Sequence, residues 1–364
     1  MRVKLGDIFE IGSGGTPSKA HPEYYGGNIP WVKTGDLKNE YLYEAEDFIT
    51  EEGLNNSSAK IYEENTVLIA MYGATIGATS ILKMKACTNQ ACAAFRKNEQ
   101  VIPEYLYYFL RSKKEKFAKD GVGGAQPNIS AGYLKKIEME LPSLDEQKVI
   151  VGILDKISDI GCKRRFELQS LDDLIKARFV ELFGDPVLNP FSWEMKRFDE
   201  ICENLDSRRK PISSGDRVEG NYPYYGASGI VDYVEDYIFN EDILLVSEDG
   251  ANLLMRSTPI AFSVSGKVWV NNHAHVVRFD KMSLQKYVEI YFSLIDISDS
   301  ITGSAQPKLN QAKLNAIMLP IPEDMLLDRY CEFLYQVNKS KVAVQKALDE
   351  TQLLFDSLMQ EYFG

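Results

Sequence analysis

The sequence predicts an α/β chain: two α/β domains in tandem repeat, each followed by a long helix, the two helices partnered in a coiled coil. Three observations carry this. Leu144 to Gly184 runs without an internal proline and closes on Gly184-Asp185-Pro186, a glycine–proline helix stop. Spacings of four and three mark Ile150, Leu154, Ile157, Gly161, Arg164, Leu168, Leu171, Ile175, Arg178 and Leu182, a 3.5-residue period with seven of ten positions apolar. Adding 180 to each number gives Tyr330, Leu334, Val337, Lys341, Val344, Leu348, Thr351, Phe355, Leu358 and Tyr362, of which eight can line a seam.

The elements follow in order: a first domain at 1–143, a helix at 144–184, a second domain at 185–324 and a second helix at 325–364. The repeat extends into the domains. Ala125-Gln126-Pro127 recurs as Ala305-Gln306-Pro307, and Leu134, Ile137 and Pro142 recur as Leu314, Ile317 and Pro322, all at offset 180. Upstream the offset drifts: Asn28-Ile29-Pro30-Trp31 matches Asn221-Tyr222-Pro223-Tyr224 at 193, and Asn89-Gln90-Ala91 matches Asn272-His273-Ala274 at 183. The helices keep register while the domains agree only at framework points. Strands are expected at 67–71, 243–246, 267–270 and 275–279 from their β-branched and aromatic content. Pro103 opens a helix through Phe117 whose outer side is basic (Arg111, Lys113, Lys114, Lys116, Lys119), and its second copy is 284–297.

At 364 residues there is room for two ordinary domains with connectors. No hydrophobic run approaches a membrane span and Met1-Arg2-Val3-Lys4-Leu5-Gly6 is no signal peptide, so the expected location is cytoplasmic. Five cysteines without a CxxC pair read as reduced core cysteines. A net charge of −12 argues against nucleic acid, but residues 185–324 alone, with 13 basic and 21 acidic groups, carry −8 of it. Contact depends on local patches.

The search for chemistry finds little. Gly12-Ser13-Gly14-Gly15-Thr16-Pro17-Ser18-Lys19 lacks the spacing of a phosphate loop, and Pro17 removes an amide donor; it reads as a surface loop with exposed donors. His273-Ala274-His275 puts two imidazoles on one face of a strand, as framework or contact residues rather than metal ligands. Asn189-Pro190-Phe191 resembles the NPP[FY] motif of adenine-N6 methyltransferases without its second proline, and reads as linker. The remaining polar loops suit a DNA-reading surface, because hydroxyl, amide and cationic side chains read base edges and hold phosphates. In the first domain the candidates are Ser13, Thr16, Ser18, Lys19, Lys33, Thr34, Tyr72, Thr75, Gln126 and Asn128. In the second they are Ser207, Arg208, Arg209, Lys210, Tyr225, Asn252, Lys267, Gln306 and Lys308, with Arg208 and Arg209 as expected guanine contacts. The expected seam is Ile150, Leu154, Ile157, Leu168, Leu171, Ile175 and Leu182 with Leu334, Val337, Val344, Leu348, Phe355 and Leu358.

Gly14-Gly15-Thr16-Pro17-Ser18, Ile29 to Leu37, Gly73-Ala74-Thr75-Ile76-Gly77, Ala125 to Ile129 and Leu141-Pro142-Ser143-Leu144-Asp145-Glu146-Gln147 together resemble the specificity subunit (HsdS) of type I restriction-modification systems, a phage-defence family. The resemblance spans essentially the whole chain. The second copy departs from it at Ile321 to Leu326, where Glu-Gln is missing, and in 206–215, which has no glycine-rich loop. The resemblance implies a non-catalytic DNA reader: two target-recognition domains at opposite ends of an antiparallel two-helix coiled coil, each reading half of a bipartite site. It implies two modification (methyltransferase) subunits docked on the helices, and restriction subunits that translocate and cleave. S-adenosylmethionine, ATP and magnesium then belong to those partners, and this chain holds no cofactor and no metal. Two other classes fit part of the sequence. A stand-alone nuclease or methyltransferase needs a catalytic constellation that is not found, and a coiled-coil scaffold without DNA binding leaves the divergence of the domains unexplained.

Overall fold

The computed structural model describes residues 1–121, 128–303 and 306–364. They form two compact units, one of residues 1–164 and 347–364, the other of residues 165–346, so each unit takes part of both long helices, Leu144–Phe183 and Asp324–Phe363.

In the first unit a five-stranded sheet has the order Ile11–Ser13, Cys92–Phe95, Val67–Ala70, Thr79–Leu82, Tyr41–Leu42. All its pairs are antiparallel except the last. Val67–Ala70 is an uninterrupted apolar run because both faces of this sheet are covered. A second sheet joins Asp47–Ile49, Tyr25–Val32, Ala86–Thr88 and Ile61–Tyr62, with Trp31 beside Cys87 in parallel register. Pro103 starts a helix, Pro103–Ser112, and a second short helix, Lys114–Asp120, follows, so the single helix expected through Phe117 breaks at Lys113. Tyr105 to Leu110 are all buried, because the helix has the sheet on one side and Phe355 and Phe363 of the second long helix on the other.

The second unit repeats this plan. One sheet has the order Glu203–Asn204, Ala274–Arg278, Ile243–Ser247, Ala261–Val264, and the other Gly229–Val234, Glu219–Gly226, Lys267–Val270, Phe239–Asn240. Helix Met282–Leu294 packs on the first of these, and its Tyr287 meets Phe179 and Phe183 of the first long helix and forms with Tyr330 a cluster of rings 4.9 to 5.7 Å apart.

Within each unit the start of one long helix lies against the end of the other, so the pair is antiparallel. In the first, Val151 and Leu154 share a core with Phe355, Leu358 and Phe363; in the second, Ile175 and Phe179 share one with Tyr330 and Leu334, and the Tyr330 hydroxyl donates to the Ile175 carbonyl. None of the thirteen expected seam residues is exposed: Leu154, Ile157, Ile175, Leu334, Val337 and Val344 are buried, and Ile150, Leu168, Leu171, Leu182, Leu348, Phe355 and Leu358 half-buried. The first helix is capped by Ser143 and Glu146, each accepting from the other's backbone N–H. Gln147 beside them is wholly buried; its amide donates to the Gln100 and Pro142 carbonyls and accepts from Ile102. Leu327 stands at the same place in the second copy, also buried. At the other end Gly184, with φ +81°, turns against Pro190, and the Asn189 side chain bonds both the N–H and the carbonyl of Trp193, so Asn189-Pro190-Phe191 is the turn that follows the helix.

Two further expectations change. The cysteines are not all core residues, since Cys162 is exposed and Cys202 and Cys331 are half-buried. The Asn89 match shifts by one residue. The Asn89 side chain accepts from the Ala91 N–H as the Asn271 side chain accepts from His273, so Asn89 pairs with Asn271.

Candidate nucleic-acid interface

In the first unit the glycine-rich loop is half inside. Gly14, Gly15 and Pro17 are buried, and a Cβ on Gly14 would run into the Thr88 carbonyl, one on Gly15 into Ser58. The glycines are there for close approach, not to hold amides open. The Gly15 N–H donates to Thr88 at 2.9 Å, its carbonyl accepts from the Trp31 indole at 3.0 Å, and the Thr16 hydroxyl donates to Gln90. This corrects the reading of an open loop: Ser18 and Lys19 are exposed, while Ser13 and Thr16 are half-buried. Lys33 is paired with Asp47 and Thr34 is half-buried beside it. Tyr72 is exposed, pairs by backbone with exposed Asn128, and accepts a bond from the Thr75 hydroxyl. Gln126 lies outside the described residues.

The second unit rebuilds the same frame from different residues. The Lys210 N–H donates to Val270, and its carbonyl accepts from the Trp269 indole at 2.6 Å. Lys210 therefore occupies the position of Gly15, and 206–215 does hold the loop's counterpart. The indole comes from the neighbouring strand: Trp31 faces Cys87 in the first unit, and Tyr224 faces Trp269 in the second.

Around this loop stands a charged cluster. His275 is buried; its Nδ1 lies 2.6 Å from Asp206 and its Nε2 2.8 Å from the Leu309 carbonyl. Arg209, only 13% exposed, reaches Asp206 at 3.2 Å, Glu248 at 2.5 Å and the Ala274 carbonyl at 2.7 Å, and Lys308 pairs with Glu248 at 3.0 Å. Burial works to raise the Asp206 carboxyl, but the hydrogen bond and charge of His275 outweigh it, so the group sits below the usual carboxylate range. Glu248 is lowered in the same way, with Arg209 and Lys308 overcoming its burial. Ligand atoms of Asp206, Glu248 and His275 lie within 4.8 Å of one another, a spacing open to a metal ion. Arg209 and Lys308 already neutralise the carboxylates, and both imidazole nitrogens are engaged, so this is a closed ion cluster.

Arg208 and Arg209, expected as base readers, both have partners inside the unit. Arg208 pairs with Glu241, donates to the Ile238 carbonyl and lies over Phe239. Asn252 braces its own turn through Ser257 and Thr258, and Tyr225 is half-buried against Phe262. Ser207, Lys210, Lys267, Gln306 and Lys308 are exposed, with Lys267 over the Tyr222 and Tyr237 rings. The two histidines do not share a face: His273 lies in a turn before the strand, half exposed and bonded to Asp249. The sequence reading missed Asp206 and Glu248, which carry no local motif.

This architecture, loops of divergent chemistry on a twice-repeated frame, defines a class. The chain belongs to the type I restriction modification DNA specificity domain family, whose model matches residues 1–167 and 190–350. It is 26% identical over 396 residues to the type I restriction enzyme MjaIX specificity subunit of Methanocaldococcus jannaschii, covering 98% of this chain and 90% of that one. Its fold is that of the type I restriction-modification S subunit from M. genitalium (TM-score 0.60, 16% identity, 100% and 96% covered). A structure described for complex assembly and conformational transition of the type I system has the same fold (TM-score 0.64, 15% identity, 100% and 97% covered). The chain is a DNA-recognition subunit and non-catalytic. Specificity subunits of these systems assemble with other subunits and with DNA. Among the described residues no helix is long and apolar enough to cross a membrane.

Proposed function

We propose that each unit reads one half of a bipartite DNA target with the loops described above, and that the long helices dock two modification subunits and, through them, restriction subunits. S-adenosylmethionine, ATP and magnesium act in those partners, in the cytoplasm. The observation that supports this reading most is what the duplication kept and what it changed. The indole-to-carbonyl tie and the Asn89 and Asn271 turns recur, and Tyr105 and Tyr287 donate alike to Glu140 and Pro320. The loops between them carry glycine and hydroxyls in one copy and charges in the other. Leu174 and Leu354, 180 apart on the two helices, are both about half exposed, which suits two similar docking faces.

The test exchanges residues 1–143 for the matching region of a relative and selects targets from a random library with the assembled complex. One half-site should change and the other persist; a change in both, or in neither, overturns the reading.

A further inference from the structure

Among the described residues, the ion cluster of the second unit has no counterpart in the first. Ala93 occupies the register position of His275, opposite Ile69 as His275 is opposite Val246. Met71 stands for Glu248, since each carbonyl accepts from the residue that begins the following segment, Ile129 or Leu309. At these two positions the first unit carries apolar side chains, where the second carries His275 and Glu248 as part of a cluster of five charged or ionisable side chains.

We propose that His275 is a positioning residue for DNA reading, holding three loops of the second unit, 205–210, 247–250 and 306–309, in one arrangement. The inference rests on the recognition role proposed above for those loops. A neutral imidazole has a single N–H to donate. Here both ring nitrogens face oxygen, a carboxylate on the first loop and a carbonyl on the third, so the ring spans the two. Glu248, 3.8 Å from Nδ1, brings in the second loop and orients Lys308 through its other oxygen, while Arg209 closes the ring of contacts. Lys308, about half exposed, is the member left to meet DNA. His275 touches no DNA in this arrangement and acts through the loops it ties.

The experiment uses the full chain assembled with its modification subunits, on the duplex that the wild-type complex selects and on copies altered in one half-site or the other. His275→Gln keeps much of the volume and one donor. It should lower base discrimination in one half-site by roughly tenfold, the worth of a base contact, leaving the other half-site and non-specific affinity unchanged. Asp206→Asn, which removes the charge and keeps the shape, should do the same if the histidine variant folds poorly. A double-mutant cycle separates positioning from mere stability. The losses from His275→Gln and Lys308→Ala should combine to less than their product, because both act on one loop. Multiplicative losses, equal loss in both half-sites, or unchanged discrimination at unchanged thermal stability would overturn the inference. If the wild-type complex selects no bipartite target, the reading role itself fails; if it selects one and the variants read it normally, only the positioning role does.

Discussion

At the scale of single residues, two adjacent arginines have different work. Arg209→Ala leaves Asp206 and Glu248 short of their shared cation in a largely buried place, and breaking such a pair costs about 3 kcal/mol or more. Arg208→Ala removes an ion pair that is 42% exposed on the arginine side, worth below about 1 kcal/mol. Denaturant unfolding of the two variants should show that contrast. The carboxylates predict a pH response. Because Asp206 and Glu248 are lowered in the folded chain, their stabilisation is present above the ordinary carboxylate range and lost as pH falls through the lowered values. Amide exchange should show Val276, which donates to Asp206, and Leu309, which donates to the Glu248 carbonyl, losing protection in acid. In the first unit Asp36, Glu40 and Asp155 are raised, first of all by burial, so there the sign reverses and mild acid relieves a cost. The sequence singled out Arg208, Arg209, His275 and Lys308, but not the carboxylates that pair with them. The cluster is scattered from 206 to 308, and only the fold of the sheets brings its members together.

Elements were legible where the pattern is local and repeated. The long helices announce themselves because a 3.5-residue period and a fixed offset reinforce each other over the full length of both. Strand order did not, because pairing such as Trp31 with Cys87 joins segments far apart in the chain. The glycine-rich loop was misjudged for a related reason: what Gly14 and Gly15 avoid is the backbone of residues that local sequence does not mention. The Glu-Gln pair at the first helix start was recognised as a motif, and the structure supplies its physics. Gln147→Leu, which imposes the second copy's solution, strands the Ile102 N–H and the Gln100 carbonyl and should destabilise the first unit by about 1–3 kcal/mol. Leu327→Gln should fail for the complementary reason, burying an amide at an apolar site. Unfolding midpoints of both variants check this, and a neutral result in either would mean that the helix start relaxes freely.

For the whole molecule, the duplication predicts how partners are counted. Leu174→Asp and Leu354→Asp each place a charge on one of two equivalent exposed positions. Each single change should remove one modification subunit from the purified complex, and the pair should remove both, as read by native mass spectrometry. Retention of both subunits by the double variant would move docking away from these positions.

The tryptophan that changes strand limits how such a protein can be reshuffled. Its indole supports the recognition loop from one strand in the first copy and from that strand's parallel neighbour in the second. A hybrid taking Tyr25–Val32 from one copy and Lys267–Val270 from the other would carry two indoles contending for one carbonyl. The reciprocal hybrid, with Glu219–Gly226 beside Ala86–Thr88, would carry none. A crossover between the two copies therefore keeps the loop's support only where both parallel strands come from the same copy.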